Sequence, residues 1–175
     1  MINFKKIGKK NISLIGLMGS GKSSVGRDIS KYFNVDFHDS DLEIEKMAGQ
    51  SINLIFKKNG EKYFRELEEK VCLKLLSKKN CVISLGGGSV INERIRRLIF
   101  LNSFSIYLKV DIEILLKRLN NSNKRPLLKT ENKENILKDL LNERKVYYDK
   151  ADLILKNNQS KNYVISLIEN SLNQL

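Results

Sequence analysis

The chain has 175 residues, a length typical of about one domain. Hydrophobic residues make up 41% of the sequence and charged residues 30%, a balance that excludes collagen-like and disordered proteins. The 32 lysine and arginine residues outnumber the 20 acidic ones and give a net charge of +12, which favours either a polyanionic partner or a lysine-rich surface. Because the basic residues are scattered and no aromatic residues are interleaved with them, we favour the second interpretation and expect no nucleic-acid partner.

Apolar runs with the length of strands alternate with longer segments of helical periodicity, a pattern typical of a parallel α/β sheet. The predicted strands cover residues 11–17, 35–38, 81–85, 104–110 and 152–155. The predicted helices cover 21–33, two short pieces interrupted at Gly49 and Gly60, then 61–77, a helix that starts at 92, one that Asp111 caps and that ends near 120, and 131–148 and 161–175. Five strands, each followed by a helix, predict a single doubly wound domain over residues 1–175.

The apolar run of the first strand is interrupted by Gly16 and leads into Gly-Lys-Ser, so we expect no signal peptide. All apolar runs are far shorter than the roughly 20 residues of a membrane span. Cys72 and Cys81 are too few for a disulfide framework, and we expect both to pack in the interior. The single histidine, His38, argues against a histidine metal site or a Ser-His-Asp triad. We therefore expect a cytoplasmic protein without membrane contacts.

The segment after the first predicted strand matches the phosphate-binding pattern G-x-x-x-x-G-K-[ST] from Gly16 to Ser23. Glycines let backbone N–H groups turn towards phosphate oxygens, and the helix that follows adds the positive end of its dipole. Lys22 can reach the β- and γ-phosphates, and the hydroxyl of Ser23 can bind Mg²⁺. The pattern therefore predicts a site for a nucleoside triphosphate, with Mg²⁺ as the cofactor.

The rest of the sequence narrows the class of nucleotide-binding protein. The stretches that begin at Asn123 and Asn132 lack the aspartate with which GTPases read guanine, and the third strand ends in glycines instead of the acidic pair of motor-like ATPases. Asp39 and Asp41 stand two residues apart at the end of the second strand, so both side chains point to the crevice where ligands bind in such sheets. One carboxylate can then help to hold Mg²⁺ while the other meets a substrate hydroxyl.

Six segments, in this order and spacing, carry a resemblance to a known family. They are residues 16–24, 37–41, 64–68, 85–90, 125–128 and 143–148. In these segments the sequence resembles the shikimate kinases, and the match covers essentially the whole chain. The resemblance implies a three-layer α/β fold like that of the nucleoside monophosphate kinases, with a five-stranded parallel sheet in the order 2-3-1-4-5 flanked by helices. It also implies transfer of the γ-phosphoryl group of ATP to the 3-hydroxyl of shikimate, a step towards chorismate and the aromatic amino acids.

The resemblance also assigns residues to ATP and to the metal. The ATP-binding residues that it implies are Gly19, Ser20, Gly21, Lys22, Ser23, Ser24, Arg118, Arg125 and Gln159. Arg125 matches an arginine that comes over the phosphates from a mobile lid, here about residues 120–131, and Lys22 and Arg125 are expected to act in catalysis. Arg118 and Gln159 fall where the family contacts adenine. Ser23 and Asp39 match the groups near Mg²⁺.

On the substrate side, the resemblance assigns Arg65 and Arg144 to the carboxylate of shikimate, for which paired guanidinium donors are well suited. Asp41 matches the aspartate that accepts hydrogen bonds from the substrate hydroxyls, and we expect it to orient or deprotonate the attacking oxygen. Segment 40–68 is the expected substrate-binding part of the chain. The three glycines of the third strand's end should let the backbone approach the substrate ring, and these are Gly86, Gly87 and Gly88.

The sequence also predicts roles for Glu68 and His38, and it leaves two alternative functions open. Glu68 lies one turn after Arg65 and is expected to support it as an i,i+3 partner, whereas His38 is expected to pack facing away from Asp39. One alternative is another small-molecule kinase of the same fold, such as a gluconate kinase, which should not need Arg65, the three glycines and Arg144 together. The other is a regulatory or RNA-associated nucleotide-binding protein, which the net charge would favour. The expected partners are ATP and shikimate, and the expected state is a monomer.

Overall fold

The computed structural model of the chain describes residues 4–120, 132–158 and 161–173. The strands are β1 (Asn11–Ile15), β2 (Asp36–Asp39), β3 (Cys81–Ser84), β4 (Ser103–Lys109) and β5 (Leu153–Lys156). The helices are α1 (Phe4–Ile7), α2 (Lys22–Phe33), α3 (Ser40–Ala48), α4 (Ile52–Leu76), α5 (Glu93–Asn102), α6 (Ile112–Asn120), α7 (Lys133–Tyr148) and α8 (Lys161–Asn173). The strands form one parallel sheet in the order β2-β3-β1-β4-β5, which confirms the predicted order.

Helices cover both faces of the sheet, because strand residues alternate between two apolar clusters. Ile12 and Leu14 of β1 belong to a cluster with α1, α2 and α8. Ile15 belongs to a cluster on the other face that draws on α3, α4, α5, α6 and α7. All five residues of β1 are buried, as expected of a central strand covered on both sides. The architecture is therefore the three-layer arrangement expected from the sequence.

Three local features differ from the predictions. Helix α1 was not predicted, since four residues are too few for a periodic pattern. Strand β1 ends at Ile15 instead of residue 17, because Gly16 adopts a φ of 140° and turns the chain into the phosphate loop. The pieces expected on either side of Gly60 form one helix, α4, that is kinked at Gly60 (φ 79°, ψ 176°).

Some predicted features lie outside the residues described. These are Gln159, Arg125 and, except for Asn120 at the end of α6, the lid of residues 120–131. Within the described parts of the chain, no helix combines the length and apolar character that a membrane crossing requires.

The parallel arrangement places the carboxyl ends of all five strands at one edge of the sheet. The phosphate loop follows β1, Asp39 ends β2, and a segment of three glycines, Gly86–Gly88, follows β3. Asn157 follows β5 at the same edge. We call Gly86–Gly88 the glycine segment. This edge therefore collects the groups from which a site can be built.

Candidate active site

The phosphate loop joins β1 to α2 and is held in shape by its own lysine. The Nζ atom of Lys22 donates to the carbonyl oxygens of Gly16 (2.8 Å) and Leu17 (2.9 Å), and the side chain is only 8% exposed. At Gly16 a Cβ atom would come within 2.8 Å of the Leu108 carbonyl oxygen in β4, so no other residue fits there. The loop leads into the N-terminus of α2, where backbone N–H groups and the helix dipole favour an anion.

Two further side chains, those of Asn157 and Arg118, hold this loop through hydrogen bonds to its carbonyl oxygens. Asn157 is buried, and its Nδ2 donates to the carbonyl oxygen of Ser20 at 2.7 Å. Arg118 in α6 donates through Nη1 to the carbonyl oxygen of Gly19 (3.3 Å) and through Nη2 to that of Asn157 (2.9 Å). Arg118 therefore lies beside the loop, and its contact with adenine stays a prediction. Asn157 was not predicted as a site residue, although its position directly after β5 was an available signal.

The oxygen atoms near the loop fit a magnesium ion that is also bound by substrate phosphates. The Ser23 hydroxyl lies at the start of α2, 3.4 Å from the Ser84 hydroxyl. Asp39 caps α3, and Oδ1 accepts both cap hydrogen bonds, from the N–H groups of Asp41 and Leu42, so Oδ2 takes part in neither. In the described part of the chain no three acidic, histidine or cysteine side chains form a metal cage. Mg²⁺ typically needs no such cage, because it keeps several waters and binds one or two protein groups plus phosphates.

A pocket lies next to the phosphate loop. Its apolar wall consists of Met18, Ile52, Phe56 and Phe64. Its polar lining consists of Asp41, Arg65, Glu68, Arg144 and the glycine segment. Two cationic side chains, two carboxylates and exposed backbone in one small cavity suit a compact ligand that carries both an anionic group and hydroxyls.

Arg65 is oriented by two carboxylates of its own helix. Its Nη1 donates to Oε2 of Glu68 at 2.7 Å, and its Nε and Nη2 donate to Oε1 of Glu61 at 3.2 and 2.9 Å. The expected i,i+3 support by Glu68 is thereby confirmed. A guanidinium has five N–H donors, so these three bonds leave one on each terminal nitrogen.

Arg144 enters the pocket from α7 and is almost fully buried, with 4% of its surface exposed. Its Nε donates to the half-exposed Glu143 carboxylate at 3.3 Å, and its guanidinium also lies beside the Tyr148 hydroxyl. Burying a guanidinium is costly unless an anion or several acceptors compensate it. An anionic ligand in the pocket would supply that compensation.

The glycine segment leaves little room for side chains, because a Cβ atom at each position would come very close to a neighbouring side chain or to the phosphate loop. At Gly86 it would lie 2.9 Å from Oε1 of Glu68 and 3.0 Å from Oδ1 of Asp41, and at Gly88 it would lie 2.7 Å from Nη1 of Arg65. A Cβ at Gly87 would lie 3.2 Å from the Met18 nitrogen in the phosphate loop. The segment is thus packed between the pocket and the phosphate loop.

The two carboxylates beside Gly86 differ in their surroundings. Glu68 is 3% exposed and accepts a hydrogen bond from the Ser89 hydroxyl at 3.1 Å in addition to its bond from Arg65. Burial raises the pKa of the Glu68 carboxyl above its ordinary value, and the nearby Asp41 adds to that rise, whereas Arg65 and Ser89 oppose it. Asp41, on the first turn of α3, is less buried and lines the pocket directly.

Comparisons with known proteins identify the family of the chain that has this arrangement. The family model described as "Shikimate kinase" matches residues 18–173. The chain belongs to the shikimate kinase family. A shikimate kinase from Bartonella quintana (strain Toulouse) is 42% identical over 158 residues, which cover 90% of this chain and 75% of that protein. The family assignment confirms the resemblance and the ATP-dependent kinase activity expected from it.

Solved structures agree with this assignment. A shikimate kinase from Acinetobacter baumannii, solved in complex with shikimate, has a TM-score of 0.87 and 36% identity, and the match covers 93% of this chain and 94% of that one. A gluconokinase from Sinorhizobium meliloti 1021 has a TM-score of 0.59 and 16% identity over 94% of this chain and 92% of its own, which shows a shared fold alone.

In this member of the shikimate kinase family, the structure brings most of the predicted site residues together. Asp41, Arg65, Arg144 and the glycine segment line one pocket, while Gly19–Ser24 and Arg118 lie around the phosphate loop beside it. Cys72 and Cys81 are buried as predicted, and His38 is absent from the pocket lining. The roles predicted for the site residues remain predictions, as do those of Arg125 and Gln159.

Proposed function

We propose that this chain catalyses transfer of the γ-phosphoryl group of ATP to the 3-hydroxyl of shikimate, giving shikimate 3-phosphate and ADP. The observation that carries the proposal is the pocket in which the buried Arg144, the oriented Arg65 and the carboxylate of Asp41 meet, one backbone layer away from the phosphate loop. We further propose that the enzyme acts in the cytoplasm as a monomer in the pathway to the aromatic amino acids.

The phosphate loop would hold the triphosphate of ATP. Its N–H groups and the dipole of α2 attract the phosphates, and Nζ of Lys22 can exchange the carbonyl oxygens of Gly16 and Leu17 for phosphate oxygens. Phosphoryl transfer needs mostly positioning and neutralisation of charge, and Lys22 supplies both. Arg118 would contact the nucleotide from α6. Arg125 and Gln159 are proposed to complete the ATP site.

Ser23 and Asp39 are the groups that would hold Mg²⁺, the serine directly and the aspartate through water. When bound, Mg²⁺ neutralises charge that develops on the phosphates during transfer. Asp39 is fixed for this role because the N-terminus of α3 binds its Oδ1.

Shikimate would lie across the pocket in one orientation. Its carboxylate would bind the two remaining donors of Arg65 and the guanidinium of Arg144, and its ring would lie against the glycine segment and the apolar wall. Asp41 would then accept the proton of the attacking hydroxyl. In the step itself, the hydroxyl oxygen bonds to the γ-phosphorus, the bond from that phosphorus to the β–γ bridging oxygen breaks, and the hydroxyl proton passes to Asp41. Segment 40–68, which carries Asp41 and Arg65, would be the substrate-binding part of the chain.

The first experiment measures ADP release by the purified chain with ATP and Mg²⁺, with shikimate, with gluconate and with neither. We expect turnover that depends on shikimate, because gluconate lacks the ring that the apolar wall and the glycine segment would bind. Equal turnover with both acids would favour the gluconate kinase alternative.

The second experiment replaces Arg144 by alanine. Loss of the buried cation leaves the substrate carboxylate poorly compensated, at a cost of about 2–4 kcal/mol. That corresponds to a decrease of roughly 30- to 1000-fold in kcat/KM for shikimate, with the KM for ATP near normal. Arg94→Ala is the matched control, since the Arg94 side chain is 73% exposed and pairs with Glu69 outside the pocket. If Arg144→Ala weakens ATP binding as much as shikimate binding, Arg144 does not hold the carboxylate.

A further inference from the structure

The glycine segment carries a peptide bond that has little intrinsic preference for its orientation. The peptide between Gly87 and Gly88 has glycine on both sides, so no Cβ atom opposes its rotation. Its direction matters, because one orientation presents an N–H donor to the pocket and the other a carbonyl acceptor. Gly88 has a φ of −91° and a ψ of −10°, values that any residue adopts, so backbone strain does not select the orientation either.

One hydrogen bond from outside the segment holds that peptide. The buried hydroxyl of Tyr148 donates to the Gly87 carbonyl oxygen at 2.5 Å. At the start of the segment, Oγ of Ser40 accepts the N–H of Gly86 at 2.9 Å and so holds the Leu85–Gly86 peptide instead. The carbonyl oxygens of Gly86 and Gly88 accept N–H groups from Ser89 and Ile91 within the following turn.

The N–H groups of Gly87 and Gly88 differ from the carbonyl oxygens of the segment, each of which accepts a hydrogen bond. Among the residues that the structure describes, no acceptor is bonded to either of them. The peptide bonds described are all trans, so the N–H of Gly88 points away from the carbonyl oxygen of Gly87 and thus away from Tyr148. Both glycines line the pocket, so a ligand there can approach donors that bond no acceptor among the described residues.

Tyr148 also connects this peptide to the substrate arginine. It follows Arg144 by four residues on α7, so both side chains leave the same face of the helix, and the Tyr148 hydroxyl lies beside the Arg144 guanidinium. Burial raises the pKa of Tyr148 well above its ordinary value, so the hydroxyl stays protonated and remains a donor. The Tyr148 ring is held in place by the Tyr107 ring of β4, with centroids 4.9 Å apart and planes at 23°.

From these contacts we propose that Tyr148 is a positioning residue for the acceptor substrate: its hydroxyl keeps the Gly87–Gly88 peptide in the orientation that offers N–H to the substrate, in register with Arg144. This inference rests on the proposed function. Without the Tyr148 hydroxyl, the Gly87 carbonyl loses its partner, and rotation of the peptide would turn an acceptor towards the hydroxyls and carboxylate of the substrate. Among the described residues no hydrogen bond joins Tyr148 to the phosphate loop, and rotation of one peptide about its Cα–Cα axis leaves the Cα atoms that pack on the loop in place, so ATP binding should not depend on Tyr148.

The test is the steady-state kinetics of Tyr148→Phe, which removes the hydroxyl and keeps the ring. We expect the KM for shikimate to rise about tenfold, with the KM for ATP within about twofold of the unsubstituted chain. Tyr107→Phe is the matched control, since it removes a phenol oxygen from the same aromatic stack without touching the glycine segment, and we expect it to change neither KM.

A KM for shikimate within twofold of normal in Tyr148→Phe would overturn the inference, as would a parallel rise of both KM values, which a merely structural role predicts. If Tyr148→Phe does not accumulate as folded protein, amide hydrogen exchange of the unsubstituted chain decides: the N–H of Gly88 should exchange more slowly when shikimate binds, and unchanged exchange would overturn the inference. Absence of shikimate-dependent ADP release by the unsubstituted chain would instead overturn the proposed function itself. The two failures are therefore distinguishable.

Discussion

Gly16 and Gly88 line neighbouring parts of the site, but they are glycine for different physical reasons. Gly16 adopts a φ of 140°, and a Cβ there would also approach the backbone of β4. Gly88 has an ordinary backbone, and its missing side chain makes room for the guanidinium of Arg65. The sequence motif identified both positions, but only the structure separates a requirement for conformation from a requirement for space.

Lys22 lies at the start of α2, in the loop that the motif predicts to bind phosphate, and its role in transfer is a prediction. Lys22→Met should keep the fold and lower kcat by about 10² or more, because removal of one preorganised electrostatic group from a site of this kind costs that much. The measurement is kcat with saturating ATP and shikimate, together with a circular dichroism spectrum.

Lys31→Met is the control for Lys22→Met, since Lys31 is exposed near the end of the same helix. Near-normal turnover of Lys22→Met would exclude a role for Lys22 in the transfer step.

Sequence motifs identify residues that stand at characteristic spacings along the chain. They miss residues whose contacts form only when distant segments pack together. Lys22, Asp41 and Arg65 fall in short patterns that can be read along the chain. Asn157 and Tyr148 were not predicted as site residues, because their hydrogen bonds reach the Ser20 and Gly87 carbonyls across 137 and 61 residues of sequence. A bond of that kind depends on the packing of β5 and α7 against the loops, which a single sequence does not encode in any local pattern.

At the scale of elements, α4 has the largest effect on the shape of the pocket. Its first part carries Ile52 and Phe56, and its second part carries Arg65 and Glu68. The kink at Gly60 changes the direction of the helix between them, so both parts can line the same cavity. The sequence predicted an interruption at Gly60 correctly, although it could not predict that the two helical pieces would remain joined.

Replacement of Gly60 by alanine tests the kink. Its φ of 79° and ψ of 176° lie in a region that only glycine adopts readily, so Gly60→Ala should lower the free energy of unfolding by about 1–3 kcal/mol. Because the change also displaces Arg65 relative to Phe56, we expect the KM for shikimate to rise on the order of tenfold. Chemical denaturation and steady-state kinetics measure the two effects.

Gly8→Ala is the matched control for Gly60→Ala. Gly8 also has a positive φ, 69°, and a Cβ at either position would meet no atom within 4 Å, but Gly8 precedes β1 at the opposite edge of the sheet. It should lose stability without a change in KM. An unchanged KM in Gly60→Ala would mean that the kink serves folding only.

At the scale of the whole molecule, the alternation of strands and helices was enough to predict the layers, and the family resemblance gave the order of the strands. Exact element ends were less predictable, as at β1, because they depend on contacts between distant segments.

Cys72 and Cys81 lie in the apolar cluster that α4, α5 and α7 form against the sheet. They can therefore report on the integrity of this layer.

Thiol reactivity provides that measurement. Burial raises the pKa of Cys81 to about 11 and raises that of Cys72 further, so very little of the reactive thiolate is present at pH 8. We expect no alkylation of the folded chain by iodoacetamide over hours at pH 8, and alkylation of both thiols in guanidinium chloride. Fast labelling of either thiol in fully active protein would contradict the burial of this layer.

The glycine segment crosses the phosphate loop so closely that a Cβ on Gly87 would stand 3.2 Å from the Met18 nitrogen and 3.3 Å from the Gly16 oxygen. A single peptide layer therefore stands between this part of the pocket and the phosphate loop, and under the proposed function both substrates would share it as a wall and meet beyond its edge. A ligand that displaces this layer from one side changes the space available to a ligand on the other side, and no residue of the core has to move. Thermodynamics makes such communication symmetric: the factor by which ATP changes the affinity for shikimate must equal the factor by which shikimate changes the affinity for ATP.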